Sequence, residues 1–241
     1  MYNQAPKRKP GHIVSAIIYY ITVGVCSFLV IFPVRFLYLF SDVCAPLLYH
    51  IIRYRRKVVR TNLQESFPEK NKKELKRIEK KFYKHLTDFF VEYLVLFKLN
   101  AKQLDKRLEY KNTEMLDRLY DQGRDFILVM GHYGNWELFS HYATRTKFSL
   151  CPVYKEQKDP YFNRAAMYLR SKNKAVPVEM NKAFKHTYAN KKAGIRTMLV
   201  LISDQCPTDT RFFVDFLNHP GTAVFEGTER IAKALDGYCV W

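Results

Sequence analysis

The chain has 241 residues, 48% of them hydrophobic and 15% aromatic, which is enough for a real core and suits one sizeable domain, or a domain plus a membrane segment. A formal charge of +17 restricts the partners to nucleic acid, an anionic membrane surface or an acidic protein. Cys26, Cys44, Cys151, Cys206 and Cys239 are scattered without a C-x-x-C, which argues against a zinc site or a disulfide framework and fits reduced thiols facing a cytoplasm.

Taken in chain order, Lys7, Arg8 and Lys9 precede Ile13–Phe32, a run of twenty residues without a charge. That length spans a bilayer core as a helix, and it exceeds the apolar core of a cleaved signal peptide, so an uncleaved N-terminal anchor is expected. The next apolar stretch, residues 34–52, is interrupted by Arg35, Asp42 and Pro46. These interruptions favour an interfacial or re-entrant segment over a second span. Arg53, Arg55, Arg56, Lys57 and Arg60 follow, a cluster suited to an anionic cytoplasmic leaflet. Both flanks of the anchor are basic, so charge counting leaves its orientation open.

Residues 71–97 read as a long amphipathic helix. Leu75, Ile78, Phe82, Leu86, Phe89, Tyr93 and Leu96 step by three and four. Asn71 and Glu74 make an N-cap pair, and the lysine-rich opposite face reads as solvated. From about residue 125 the pattern alternates. "DFILVM", "KFSLCPVY", "AVPVEM", "TMLVLIS" and "RFFVDFL" read as strands; "LFSHYA", "YFNRAAMYLRS" and "EGTERIAKALDG" read as helices, the last stopping at Gly237. "YCVW" opens another strand. This order predicts an α/β fold, a mixed, largely parallel sheet flanked by helices, behind an N-terminal membrane-anchoring helix. The expected division is 1–52 as anchor and interfacial segment and 53–241 as a catalytic domain.

In such sheets chemistry gathers at the carboxyl ends of strands. His132 in "GHYGNWE" and Asp204 both lie just past apolar runs. His132 and Glu137 are five apart, roughly 140° around a continuous helix, so they meet only if His132 is in a loop and Glu137 opens the next helix. Gly131 and Gly134 permit that turn, and Asn135 is a suitable N-cap. On this reading Glu137 orients His132, which acts as a general base on a substrate hydroxyl. The bland alternative is a turn histidine beside a helix-start charge. His132 and His141 are nine apart and no H-E-x-x-H is present, so no metal is expected.

"GHYGNWE" resembles the H-x-x-x-x-[D/E] signature of glycerolipid acyltransferases, and its flanks resemble the lipid A late acyltransferases, the lauroyl and myristoyl transferases of Gram-negative bacteria. "RRKVVRTNLQESFPE" (55–69), "VYKEQKDPYFNRAAMYLRS" (153–171), "LISDQ" (201–205) and "FFVDFLNHPGTAVFEGTERIAKA" (212–234) resemble that family's further segments in order. The resemblance runs from about residue 13 to the end. It departs at Asn218, where the family often has glycine, and members continue past the position of Trp241, which implies a C-terminally truncated chain.

The resemblance implies an acyl thioester on acyl carrier protein as donor and a hydroxyl of a phosphorylated glucosamine lipid as acceptor, with no cofactor and no acyl-enzyme. Catalytic roles fall to His132 and Glu137. Substrate-binding roles fall to Arg170, with Arg164 as a lesser candidate, to Asp204, which would hold Arg170 or shape the site, and to Asn135. The implied place is the bacterial inner membrane, catalytic domain toward the cytoplasm. Two other readings stay open: transfer to a different lipid, and a non-enzymatic basic module that binds membrane. No nucleic-acid-binding pattern is present.

Overall fold

A computed structural model describes residues 17–240, apart from 18, 19, 22, 26, 29, 30, 158, 208, 209, 236 and 237. Half of the residues of the anchor expected over Ile13–Phe32 therefore fall outside the described residues, as does the helix stop at Gly237. In chain order the elements are α1 (Val34–Pro46) continued by a π-helical turn (Leu47–Ile52), α2 (Arg56–Ser66), α3 (Lys72–Lys98), α4 (Ala101–Asp105), α5 (Glu114–Asp121) and β1 (Phe126–Met130). A 3₁₀ helix (Trp136–Thr144), β2 (Ser149–Tyr154), α6 (Pro160–Ser171), β3 (Val178–Glu179), α7 (Ala183–Lys192) and β4 (Thr197–Ile202) follow. The chain closes with β5 (Phe213–Phe216), β6 (His219–Ala223), α8 (Gly227–Leu235) and β7 (Tyr238–Val240). Two compact units result, one holding Ser27–Lys98 and Gln205–Phe225, the other holding Leu99–Asp204 and Glu226–Trp241.

The sheet unit carries five strands in the order β3-β2-β4-β1-β7, and every neighbouring pair is parallel. Its strands are apolar on both faces because both faces are covered. Phe126, Leu150, Met198 and Val200 pack on one side with Tyr142 and Phe148. Ile127, Val129, Cys151 and Leu199 pack on the other with Ala183 of α7. The α7 helix has no strong apolar period, and the sequence reading passed over it. The expected helix after "GHYGNWE" is a 3₁₀ helix, with Asn135 at the N-cap position but without a side-chain cap hydrogen bond.

In the helical unit the Asn71–Glu74 cap is a full capping box. Asn71 Oδ1 accepts from the backbone N–H of Lys73 and Glu74, and the Asn71 N–H donates to Glu74 Oε2, each at 3.0 Å. The buried face of α3 differs from the expected one. Its centre line is Glu79, Tyr83, Thr87, Val91 and Val95, one position along from Ile78, Phe82 and Leu86. The cause is polar: Glu79 is taken inside by Arg56 and Arg60 at 3.3 and 2.9 Å and by the Tyr49 hydroxyl. Two cations of the basic cluster are thus spent internally. Val34–Ile52 forms one helical run despite Pro46, and it is long and apolar enough to cross a membrane. "RFFVDFL" is a strand, but outside the main sheet: β5 pairs antiparallel with β6. Their two-residue turn holds Leu217 and Asn218 at φ 47° and 60°. Asparagine tolerates this left-handed geometry better than most residues, so Asn218 serves where glycine would.

Leu199 is fully buried in the centre of the sheet. Leu199→Ala should destabilise the sheet unit by about 2–5 kcal/mol, read as a lowered thermal midpoint in detergent.

Candidate active site

The site stands on the register of β1 against β4. Every paired residue is offset by 72 positions, from Phe126–Met198 to Met130–Ile202. The ladder continues one step further through Ser203 N–H to Met130 O at 3.0 Å. The next step sets His132 opposite Asp204. There the carboxylate takes both groups that histidine offers: Oδ2 accepts the His132 backbone N–H at 2.6 Å, and Oδ1 meets the ring Nδ1 at 2.6 Å.

The two glycines flanking His132 serve separate ends. A Cβ on Gly131 would lie 3.2 Å from Asp204 Oδ2, tighter than most such contacts, so its absence admits the carboxylate. Gly134 has φ +59°, the left-handed conformation that lets the chain turn from the strand end toward the 3₁₀ helix. That helix opens with Trp136, whose indole meets the His132 ring edge-on, with centroids 4.6 Å apart at 78°. The imidazole is therefore held on one side by a carboxylate and on another by an aromatic plane.

Glu137 takes a different partner from the expected one. Its side chain is 8% exposed and is gripped by the Arg170 guanidinium, Nε to Oε2 at 3.0 Å and Nη2 to Oε1 at 2.5 Å. This fork ties the start of the 3₁₀ helix to the last turn of α6. The expected pairing is thus exchanged: Asp204, not Glu137, meets Nδ1, and Glu137, not Asp204, holds Arg170. The reason is that Asp204 is delivered by strand register, whereas Glu137 follows the helix toward α6. Arg164, on the same helix as Arg170, is exposed.

At its far end the 3₁₀ helix is pinned by a contact that sequence reading did not anticipate. Buried His141 meets Asp105 of α4 through Nε2 at 2.9 Å, and Arg145 reaches the same oxygen at 2.7 Å. Hydrogen bonds from Arg145 first, then His141, hold the Asp105 carboxyl below its usual value. His141, weighed as a metal ligand from its spacing, is a structural residue here. Among the described residues no cluster of three or more His, Cys, Asp or Glu side chains could hold a metal ion.

Burial pushes the Asp204 carboxyl up, but the ring and backbone hydrogen bonds from His132, with the charge of the ring, outweigh it and leave the carboxyl below its ordinary 3.8. It is ionised at neutral pH. An ionised carboxylate on Nδ1 selects the tautomer with the proton on Nδ1 and the lone pair on Nε2. Such an arrangement leaves Nε2 free of a proton and able to accept one.

A model of the bacterial lipid A biosynthesis acyltransferases matches residues 6–238. The chain belongs to this family. It is therefore an acyltransferase enzyme of lipid A biosynthesis, with a histidine–carboxylate pair at the carboxyl end of its central strands. No curated protein sequence matches the chain.

Asp204→Asn should show where that pair acts. Because the folded carboxyl is held low, its stabilising effect is full above about pH 4 and is lost as pH falls through the lowered value. Acid unfolding of the variant should accordingly be less steep below about pH 4 than that of the parent. Arg170→Ala, which strands the nearly buried Glu137 charge, should cost about 3 kcal/mol of stability, seen as a lower thermal midpoint, with Glu137→Gln in the same background restoring part of it.

Proposed function

We propose that the enzyme moves a fatty acyl chain from acyl carrier protein to a hydroxyl of a phosphorylated lipid A precursor, at the cytoplasmic face of the bacterial inner membrane. The observation that carries this reading is the 2.6 Å contact between Asp204 Oδ1 and His132 Nδ1 in a chain of this family. His132 Nε2 takes the proton of the acceptor hydroxyl as the oxygen attacks the thioester carbonyl. The C–S bond then breaks, and the imidazolium returns its proton to the leaving thiolate. Asp204 orients the ring throughout and stabilises its charged form.

Glu137 acts through Arg170 in this scheme. It keeps the guanidinium in place to receive a phosphate or the negative charge that develops on the carbonyl oxygen. Trp136 restrains the imidazole, and Asn135 shapes the turn between them. The net charge of +17 suits both an acidic carrier protein and a phosphate-bearing lipid. The apolar run Val34–Ile52 and the apolar segment before it support a location where a lipid acceptor resides.

Labelled acyl-carrier protein and a tetraacylated lipid A precursor in detergent provide the test. The parent should transfer label. His132→Ala should lower turnover by about 10²–10⁴-fold, the usual scale for a general base, and Asp204→Asn by a comparable factor. Near-parental turnover in His132→Ala would rule out the base assignment. Transfer should also weaken as salt rises, through screening of carrier-protein docking. A flat salt profile, or equal use of an acyl thioester lacking the carrier, would exclude the carrier protein as the donor. Competing lysophospholipid and aminolipid acceptors in the same assay should leave transfer to the lipid A precursor dominant.

A further inference from the structure

Helix α1 and its π-helical continuation carry polar contacts on their buried face and only apolar side chains on the opposite, exposed stripe. The stripe facing α3 is Leu37, Ser41, Ala45 and Tyr49, all at most 8% exposed. Polar bonds join this seam. Ser41 Oγ donates to Asp88 at 2.7 Å, and the Tyr38 hydroxyl donates to Glu92 at 2.8 Å. Lys84 pairs with Asp42, and Tyr49 reaches Glu79. The opposite stripe is Leu39, Val43, Leu47 and Ile51, all apolar and 44–72% exposed, with exposed Phe36 and Phe40 beside it. A water-soluble helix carries polar or charged residues on its exposed stripe. An apolar stripe of this length exceeds the scattered surface residues that need no explanation.

The ends of the run are cationic. Arg35 is exposed at the start, and Arg53, Arg55 and Lys57 are exposed just past the end. A crossing helix would send one end through the hydrocarbon to the other surface and would carry the charged seam of α3, with Asp88 and Glu92, into lipid. A helix lying in the plane of one leaflet avoids both costs. Its apolar stripe enters the acyl boundary, its two basic ends reach anionic headgroups, and α3 stays on the water side.

We infer that Val34–Ile52 lies in the membrane plane on an anionic leaflet, with Leu39, Val43, Leu47 and Ile51 inserted and α3 bound to its water-facing side. This inference rests on the membrane association proposed above and adds its geometry. It assigns the exposed apolar stripe to lipid and not to a second protein. It also distinguishes this segment from a second span, although its length and composition would allow one.

Tryptophan depth measurements test it. Leu39→Trp, Val43→Trp, Leu47→Trp and Ile51→Trp are outward substitutions that leave the α3 seam intact, with Lys76→Trp on α3 as a water-side reference. Each full-length protein is bound to phosphatidylcholine–phosphatidylglycerol vesicles carrying bromine at shallow or deep acyl positions, and the parent's emission is subtracted. The four outward positions should be quenched to the same shallow depth, and Lys76→Trp should not be quenched. A steady change in depth from residue 39 to residue 51, about 18 Å for a helix along the normal, would show a crossing helix and overturn the inference. Blue-shifted emission without quenching at the four positions would show that protein covers the stripe, and would overturn it as well. Acyl transfer by the same variants in detergent reports separately on the enzyme reading, because no bilayer is present there.

Discussion

The structure depends on one register. β1 and β4 run parallel with a constant offset of 72 residues, and an aspartate closes the pair at each end. Asp125, just before β1, accepts the Thr197 backbone N–H at 2.9 Å; Asp204, just after β4, accepts that of His132 at 2.6 Å. A parallel pair has no hairpin to fix its alignment, so contacts of this kind and the packing of both faces must do so. A slip of one residue would turn every side chain to the other face, and it would also part His132 from Asp204. The chemistry of the site and the stability of the sheet therefore share one constraint.

Other features of the site follow from that alignment. Asp204 reaches both the backbone and the ring of His132 at a point where a Cβ on Gly131 would crowd its Oδ2. The 3₁₀ helix begins after the left-handed turn at Gly134 and brings Trp136 to the ring. It is fastened at one end by Glu137 to α6 and at the other by His141 to Asp105. Two carboxylates thus take separate partners: one meets the imidazole, the other holds a guanidinium in place. Their partners differ because one carboxylate arrives by strand and the other by helix.

The helical unit shows where apolar periodicity misleads. On α3 the strongest three-and-four pattern marks Ile78, Phe82 and Leu86, yet the buried line runs through Glu79, Tyr83 and Thr87. A carboxylate met by two arginines and a tyrosine hydroxyl can occupy the interior, and a pattern that scores only apolar residues passes over it. A related pattern recurs on α1, whose inner stripe sets Ser41 and the Tyr49 hydroxyl among Leu37 and Ala45 and whose outer stripe is wholly apolar.

The sequence by itself determined the fold class, the positions of the sheet's main strands along the chain, the cap at Asn71 and the place of "GHYGNWE" at a strand end. Each is local: continuous apolar runs, caps and tight turns are dictated by neighbours within a few residues. It also marked Asp204 as a strand-end carboxylate and Arg170 as a basic residue closing a helix. Only the tertiary structure decided which of these residues meet. Glu137 is close to His132 in sequence and was the natural partner on spacing, but a strand neighbour 72 residues away takes that place. Strand pairing is a long-range choice, made by packing on both faces of the sheet. It is set by the whole core and not by the five residues between a histidine and a glutamate.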